Sequence, residues 1–436
     1  DRYFAEFNFG YNGSENFTPK NRYGFFPSVG LGWVISNESF FEPLTNVIQY
    51  LKVRGTWGQV GNSQISGRRF AYLATVTDSS STSYTFGKNM DQNYGTTAID
   101  EYAVDVTWEV ADKTDIGVDM RLLNNKLNLQ FDYFKESREG IYLRRSSIPS
   151  YVGMINNPYG NIGKVENKGF ELSVNYANSW GGDWSLSLMG NYSFNRNKVL
   201  EDDSTVVYPW QNTIGNKVGQ RFGLVALGLF ESYGEIAASP VQTGDTRPGD
   251  IKYKDINGDG KIDEYDKVPI GWGSVPEIMY GFGFSLGWKN LSLTAMFQGA
   301  AHVDAMLSGE GVLPFSQGSS RGNLLSNITD RWTEENPRQN AFYPRLSIGN
   351  INMNYEESTW WLKDTDYLRL KNIELSYRLP DHWMKRIHLD NARIFIQGVN
   401  LLTFSSFKIW DVELGDGRGA RYPNIASVSL GVNFNF

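Results

Sequence analysis

The stretch IGVDMRLLNNKLNLQFDY, residues 116–133, changes character at every second residue on both sides of a short turn. Ile116, Val118, Met120 and Leu122 fall on one face, with Gly117, Asp119 and Arg121 on the other. Asn124-Asn125 then reads as a tight turn, because asparagine tolerates positive φ. The return places Leu127, Leu129, Phe131 and Tyr133 opposite Asn128, Gln130 and Asp132. A period of two on both arms of a tight turn specifies an antiparallel β-hairpin.

The same pattern recurs in both directions. Phe170, Leu172, Val174 and Tyr176 alternate with Glu171, Ser173 and Asn175, and Trp184, Leu186 and Leu188 follow a Gly181-Gly182 turn. Residues 280–288 and 291–297 make a further hairpin through Lys289-Asn290, and the chain ends on Val428, Leu430, Val432, Phe434 and Phe436. The alternation predicts about twelve strands: 2–11, 23–35, 49–58, 112–123, 126–138, 165–178, 183–197, 278–288, 291–301, 366–379, 391–402 and 425–436. In 366–379 the apolar phase passes from Leu368 and Leu370 to Ile373, Leu375 and Tyr377. Either a bulge near Lys371-Asn372 resets the faces, or Lys371 lies beyond a lipid band.

The connections sort by end. Links 36–48, 124–125, 179–182, 289–290 and 380–390 are short or modest, whereas 59–111, 139–164, 198–277 and 302–365 are long, with 12–22 and 403–424 shorter on the same side. A soluble β-sandwich shows the same alternation but has no reason to sort its loops. A transmembrane antiparallel up-and-down β-barrel does, with short periplasmic turns and long extracellular loops. Tyr11, Trp33, Trp57, Trp180, Trp184 and Trp288, near strand ends, suit interfacial girdles. The all-β reading thus carries a bacterial outer-membrane location and contact with lipid.

Composition agrees. Mean hydropathy is −0.41 and no run approaches the roughly 20 apolar residues of a membrane helix, yet a barrel escapes that test because only alternate residues meet lipid. Aromatic residues make up 14% of the 436, and cysteine is absent, which excludes thiol catalysis and thiolate metal sites. A net charge of −7 argues against a nucleic-acid partner. The chain opens inside a strand without a leader, which reads as a sequence whose beginning lies upstream.

Several segments resemble the SusC/RagA-like family of TonB-dependent outer-membrane transporters: YLKVRGTWGQVGN (50–62), PGDIKYKDINGDGKIDEYDKVPIG (248–271), YLRLKNIELSYRLP (367–380), NLLTFSSF (400–407) and the terminal 422–436. The resemblance implies that residues 1–436 are the C-terminal portion of one barrel, about the last twelve of 22 strands, with the plug domain and first strands absent. It implies an importer of oligosaccharides or oligopeptides, energised by a TonB complex and working with a SusD-like surface lipoprotein. Phe436 fits the aromatic end that barrel-assembly machinery reads.

The sharpest local motif lies inside the long loop 198–277. Asp255, Asn257, Asp259, Asp263 and Asp266 place oxygens at positions 1, 3, 5, 9 and 12 of a twelve-residue loop, with Gly260 at 6 and the Lys261 carbonyl at 7. That is a calcium-loop pattern, since a hard cation takes six to eight oxygens round one sharp turn. Aspartate at position 12 shortens the last ligand, and Pro269 forbids a long exit helix. The alternative is an Asx-rich turn without metal. Trp210, Trp272, Trp332, Trp360, Trp361 and Trp410 lie in or beside the external loops, where indole faces could stack on sugars or simply pack. Asp411, Asp416, Arg418 and Arg421 could face substrate or pair on the surface. Catalysis finds little support: His302, His382 and His388 are scattered, and no nucleophile elbow or phosphate loop is present. A soluble glycoside hydrolase and a non-transporting adhesin or structural barrel are the competing readings.

Overall fold

The computed structural model describes residues 1–65, 67–90, 92–316, 324–386 and 389–435. His388 and Phe436 lie outside the described residues. The alternating segments form one antiparallel sheet of twelve strands in sequence order, each paired with its neighbours. They are β1 (Tyr3–Gly13), β2 (Tyr23–Val34), β3 (Ile48–Asn62), β4 (Glu109–Leu122), β5 (Leu127–Arg144), β6 (Tyr159–Trp180), β7 (Trp184–Glu201), β8 (Ile278–Trp288), β9 (Leu291–Ala301), β10 (Tyr367–Arg378), β11 (Asn391–Ser405) and β12 (Ser427–Asn435). Every sequence-derived strand has its counterpart. Among the described residues no helix is long and apolar enough to cross a membrane.

Register fixes the faces. Phe131 lies opposite Leu172 and Leu172 opposite Tyr192, whereas Asp132 lies opposite Glu171 and Glu171 opposite Ser193. Apolar and polar positions thus gather into separate sheet faces. A cleft of about 560 Å³ on the polar face, bounded by Gln130, Asp132, Ser173, Asn191 and Gln298, marks that face as the concave side. At one end of the apolar face Trp180, Trp184 and Trp288 stand in one cross-strand row. At the other, Phe170 lies opposite Phe194, with ring centroids 5.8 Å apart. Ten residues separate the rows on β6 and on β7, roughly 33 Å along a strand; tilted by about 40° this gives a height of roughly 25 Å. That height is the apolar band of an outer-membrane barrel.

The short end is built from left-handed residues, as its sequence demands: Leu123, Asn124 and Asn125 at one turn, Gly181 and Gly182 at the next, and Lys289 at the third all have positive φ. The bulge is present too. Between Leu370 and Asn372, β9 advances one residue and β11 three, so Lys371 is the extra residue on β10. Asn400 takes the compensating left-handed position on β11 (φ 53°), and its amide donates to the Ile425 carbonyl at 3.1 Å. An asparagine suits both tasks.

Two features depart from the sequence reading. First, β5, β6 and β7 run 18, 22 and 18 residues, about twice what spans a bilayer, so they project well beyond the band. Second, the long connections are not separate loops. Residues from 198–277, 302–365 and 403–424 bury a common core that includes Leu224, Ile251, Tyr253, Leu307, Trp332, Tyr343, Trp361 and Phe407. Covering that much apolar side chain drives the three segments into one folded cap on a single rim. Link 59–111 contributes a hairpin (Thr75–Phe86 with Gln92–Glu101) and, with Phe17 of link 12–22, a smaller cluster around Ile65 and Val106.

Candidate functional site: a cleft beneath the cap

The projecting strands β5–β7 carry a cleft of about 820 Å³ on their polar face. Its wall combines Glu136 and Arg138 of β5, Asn167 of β6, and Asn195 and Asn197 of β7, over aliphatic side chains including Ile141, Leu143, Val165 and Val199. Asn167 and Asn197 are direct cross-strand partners. Arg138 bridges Glu136 at 2.8 Å and Glu109 at 3.1 Å, and Lys113 reaches Glu136 at 3.2 Å, so two cations match the two carboxylates. Residues 213–222 roof the cleft, held down where the Val218 amide donates to Asn197 Oδ1 (2.8 Å) and the Val199 amide to the Asn216 carbonyl (2.8 Å). Asn167 Oδ1 is buried and has no hydrogen-bond partner among the described residues. An unpartnered acceptor in a roomy, mixed-polarity cleft is a place for a ligand donor or an ordered water.

A smaller cleft shares Asn195, Asn197 and Lys217 and leads to Trp272 and Glu277. Glu277 is 4% exposed and receives Arg196 Nε and Nη2 (3.0 and 2.7 Å), Lys217 Nζ (3.3 Å) and the His302 ring (3.2 Å). Burial by itself raises that carboxyl, but the Arg196, Lys217 and His302 contacts outweigh it and hold it below the ordinary carboxylate range. His302 stacks flat on Trp272, centroids 4.0 Å apart and planes within 3°. The Lys217 ammonium donates to the Trp272 carbonyl, and the Trp272 and Gly273 amides donate to Asp304. Burial pushes the Asp304 carboxyl up, against the pull of those amides and of Arg221. Arg221 also forks onto Asp416 at 2.7 and 2.8 Å, and Asp416 accepts from the Met306 amide. One chain of charges therefore ties the cleft's roof to the cap.

The residues singled out by sequence fall in different places. Trp272 is 43% exposed at the edge of the smaller cleft. Trp361 is buried and donates to the Asn354 carbonyl, and Trp332 is buried in the same cap core. Trp360 packs against that core and donates to the Phe342 carbonyl, while Trp410 stands edge-on to Phe407. Trp210 stacks on Tyr208 and donates to the Tyr265 carbonyl at 2.8 Å. Both oxygens of Asp411 accept from Arg369 Nη2 at 2.9 Å while Nη1 goes to Glu413, Asp416 belongs to Arg221, and Arg418 and Arg421 are exposed. Singly, Asn167, Asn195 and Asn197 are ordinary polar alternates with nothing in the sequence to set them apart. Only the register of two unusually long strands brings them together.

The 255–266 loop turns its oxygens on its own amides. Asp255 accepts from Gly258 (2.6 Å) and Gly260 (2.9 Å), Asp259 from Lys261, Asp263 from Tyr265, and buried Asp266 from Ile256 and Asp263. Among the described residues no three His, Cys, Asp or Glu side chains converge closely enough to hold a metal ion.

A family model described as TonB dependent receptor-like, β-barrel, matches residues 2–401. TonB-dependent receptor P3 of Formosa agariphila is 28% identical over 463 aligned positions, covering 100% of this chain and 44% of that protein. TonB-dependent receptor SusC of Bacteroides thetaiotaomicron is 27% identical over 454, covering 100% and 42%. Among solved structures, the RagAB peptide importer in its 'open-open' state superposes with a TM-score of 0.74 at 21% identity, covering 100% of this chain and 45% of that one. The chain thus spans less than half the length of the relatives it matches.

Proposed function

Because this chain belongs to the TonB dependent receptor-like β-barrel family, we propose that it forms the C-terminal wall of an outer-membrane nutrient importer. The observation that carries the reading is the pairing of two faces on one sheet. One face presents an apolar band of bilayer height; the other presents an 820 Å³ cleft, roofed by a folded cap. A cleft of that size takes several residues of a chain-like solute. Its amides suit hydroxyl or peptide groups, and its aliphatic floor suits apolar parts. Oligosaccharides or oligopeptides are therefore the proposed cargo. The preceding part of the longer protein closes the barrel between β1 and β12, plugs the lumen and contacts a TonB complex, and a SusD-like surface lipoprotein covers the cap.

The decisive experiment is uptake. Cells carrying the complete protein with Asn167→Leu and Asn197→Leu should insert it normally yet lose most uptake of the nutrient on which the wild type sustains growth. Unchanged uptake by the double variant would remove the cleft from the transport path.

We also propose that calcium closes the 255–266 loop. Asp255, Asn257, Asp259, Asp263 and Asp266 supply oxygens, with the Lys261 carbonyl as a sixth, an all-oxygen set suited to a hard cation. Trp210 and Gln211, which hydrogen-bond to the Tyr265 and Glu264 carbonyls, would carry that ordering into the cap. The ion's role is structural.

A further inference from the structure

On the lipid-facing side of β5–β7, one residue row beyond the aromatic end of the band, Lys135 lies directly opposite Lys168 and Lys168 directly opposite Arg196. Tyr133, Phe170 and Phe194 form the row immediately on the membrane side. All three cations are about half exposed, with side chains at 51%, 55% and 47%. Like charges directly opposite on neighbouring strands destabilise a sheet. Their anionic partners stand away from the bilayer or to one side. Glu166, one row further out, is shared by Lys135 at 2.8 Å and Lys168 at 3.6 Å, and Arg196 is held by Glu277. Exposed Lys198 sits in the Glu166 row, and Asp112 lies along the same row on β4. Across β5–β7 the edge that meets the headgroups is therefore cationic at every position, and the row continues uncharged at Thr114 of β4. Among the described residues the rim at the Trp180–Trp184–Trp288 end has no such row: there Lys289 faces Asp183 at 3.9 Å.

We propose that the Lys135–Lys168–Arg196 row is a docking edge for membrane lipids that carry a phosphate monoester headgroup. Three strands spaced about 4.8 Å apart spread the cations over roughly 10 Å, within reach of one phosphorylated headgroup. The long lysine stems can bend toward the membrane plane from exposed ion pairs that hold them weakly. A dianionic phosphate below the row offsets the repulsion that Glu166 alone divides between two lysines. The guanidinium of Arg196, 5.4 Å above the Phe194 ring, is already placed at headgroup height.

The test is native mass spectrometry of the complete protein in detergent, offered phosphatidic acid and phosphatidylcholine in equal amounts. Wild type should retain phosphatidic acid preferentially. The variant Lys135→Gln/Lys168→Gln/Arg196→Gln should lose that preference by roughly a hundredfold, at about a factor of five per cation. Lys126→Gln/Lys289→Gln, at the opposite rim, should keep it, and so should the charge-conserving Lys135→Arg/Lys168→Arg/Arg196→Lys. Equal retention of both lipids by wild type, or undiminished preference in the triple glutamine variant, would overturn the proposal. So would displacement of phosphatidic acid by millimolar inorganic phosphate, which would make this a free-phosphate site. If the glutamine variant misfolds, the decision passes to the charge-conserving variant, whose loss of preference would equally overturn it.

Discussion

The Asp250 carboxylate receives both arms of Arg345, Nε and Nη2 each 2.9 Å away, and so joins two connections 95 residues apart in the chain. Asn352 and Asn354 add their side-chain amides to the same oxygen. The carboxylate is almost fully buried, and a Cβ on the preceding Gly249 would collide with Trp332. The Pro248-Gly249-Asp250 motif is thus the clasp of the cap. Asp250→Ala should destabilise the cap by about 1–3 kcal/mol, since it leaves the part-buried Arg345 guanidinium and the buried Asn352 and Asn354 amides without their acceptor. Limited proteolysis should then cut within 198–277 while the strands stay protected; an uncut cap would show that the clasp is dispensable.

The two faces of β6 should respond oppositely to one substitution. Val174→Arg, on the lipid face near mid-band, is expected to cost about 2–4 kcal/mol, whereas Ser173→Arg next to it should be close to neutral. Urea unfolding of the complete protein in liposomes measures both. Equal costs would be incompatible with the assignment of faces.

Asn400 occupies a left-handed bulge position, so its backbone sets what it can become. Asn400→Gly should cost little, losing only the bond to the Ile425 carbonyl. Asn400→Val should cost about 1–2 kcal/mol more from its φ alone. Thermal unfolding of the two variants side by side tests this ranking.

Calcium should matter only where the oxygens are. With millimolar calcium, segment 250–270 should exchange its amides more slowly than after chelation, and Asp255→Ala should abolish the difference. Asp266→Ala should loosen the loop even without calcium, because its carboxylate already holds the Ile256 and Asp263 amides. Hydrogen exchange that ignores calcium in wild type would leave an Asx-rich turn.

Strand number and order were legible in the sequence because lipid and lumen impose a period of two that every strand repeats. The phase slip between Leu370 and Ile373 was legible too, but a bulge and a Lys371 beyond the lipid band explain it equally, and only the pairing of β10 with both neighbours chooses the bulge. The cap was not legible. Its core residues, among them Leu224, Tyr253, Trp332 and Trp361, come from segments with no shared period, brought together only in three dimensions. For the same reason the tryptophans read alike in sequence, although Trp361 is core and Trp272 is exposed. The cleft stayed hidden because Asn167 and Asn197 become neighbours only through the register of β6 and β7.

The central claim is that this sheet stands in a bilayer with one face to lipid and one to the lumen. Single-cysteine spin labels along residues 170–176 of the complete protein in liposomes test it most directly. Labels at 170, 172, 174 and 176 should be relaxed by oxygen, and those at 171, 173 and 175 by a water-soluble nickel complex. A uniform profile, with every position open to the polar relaxant, would contradict it.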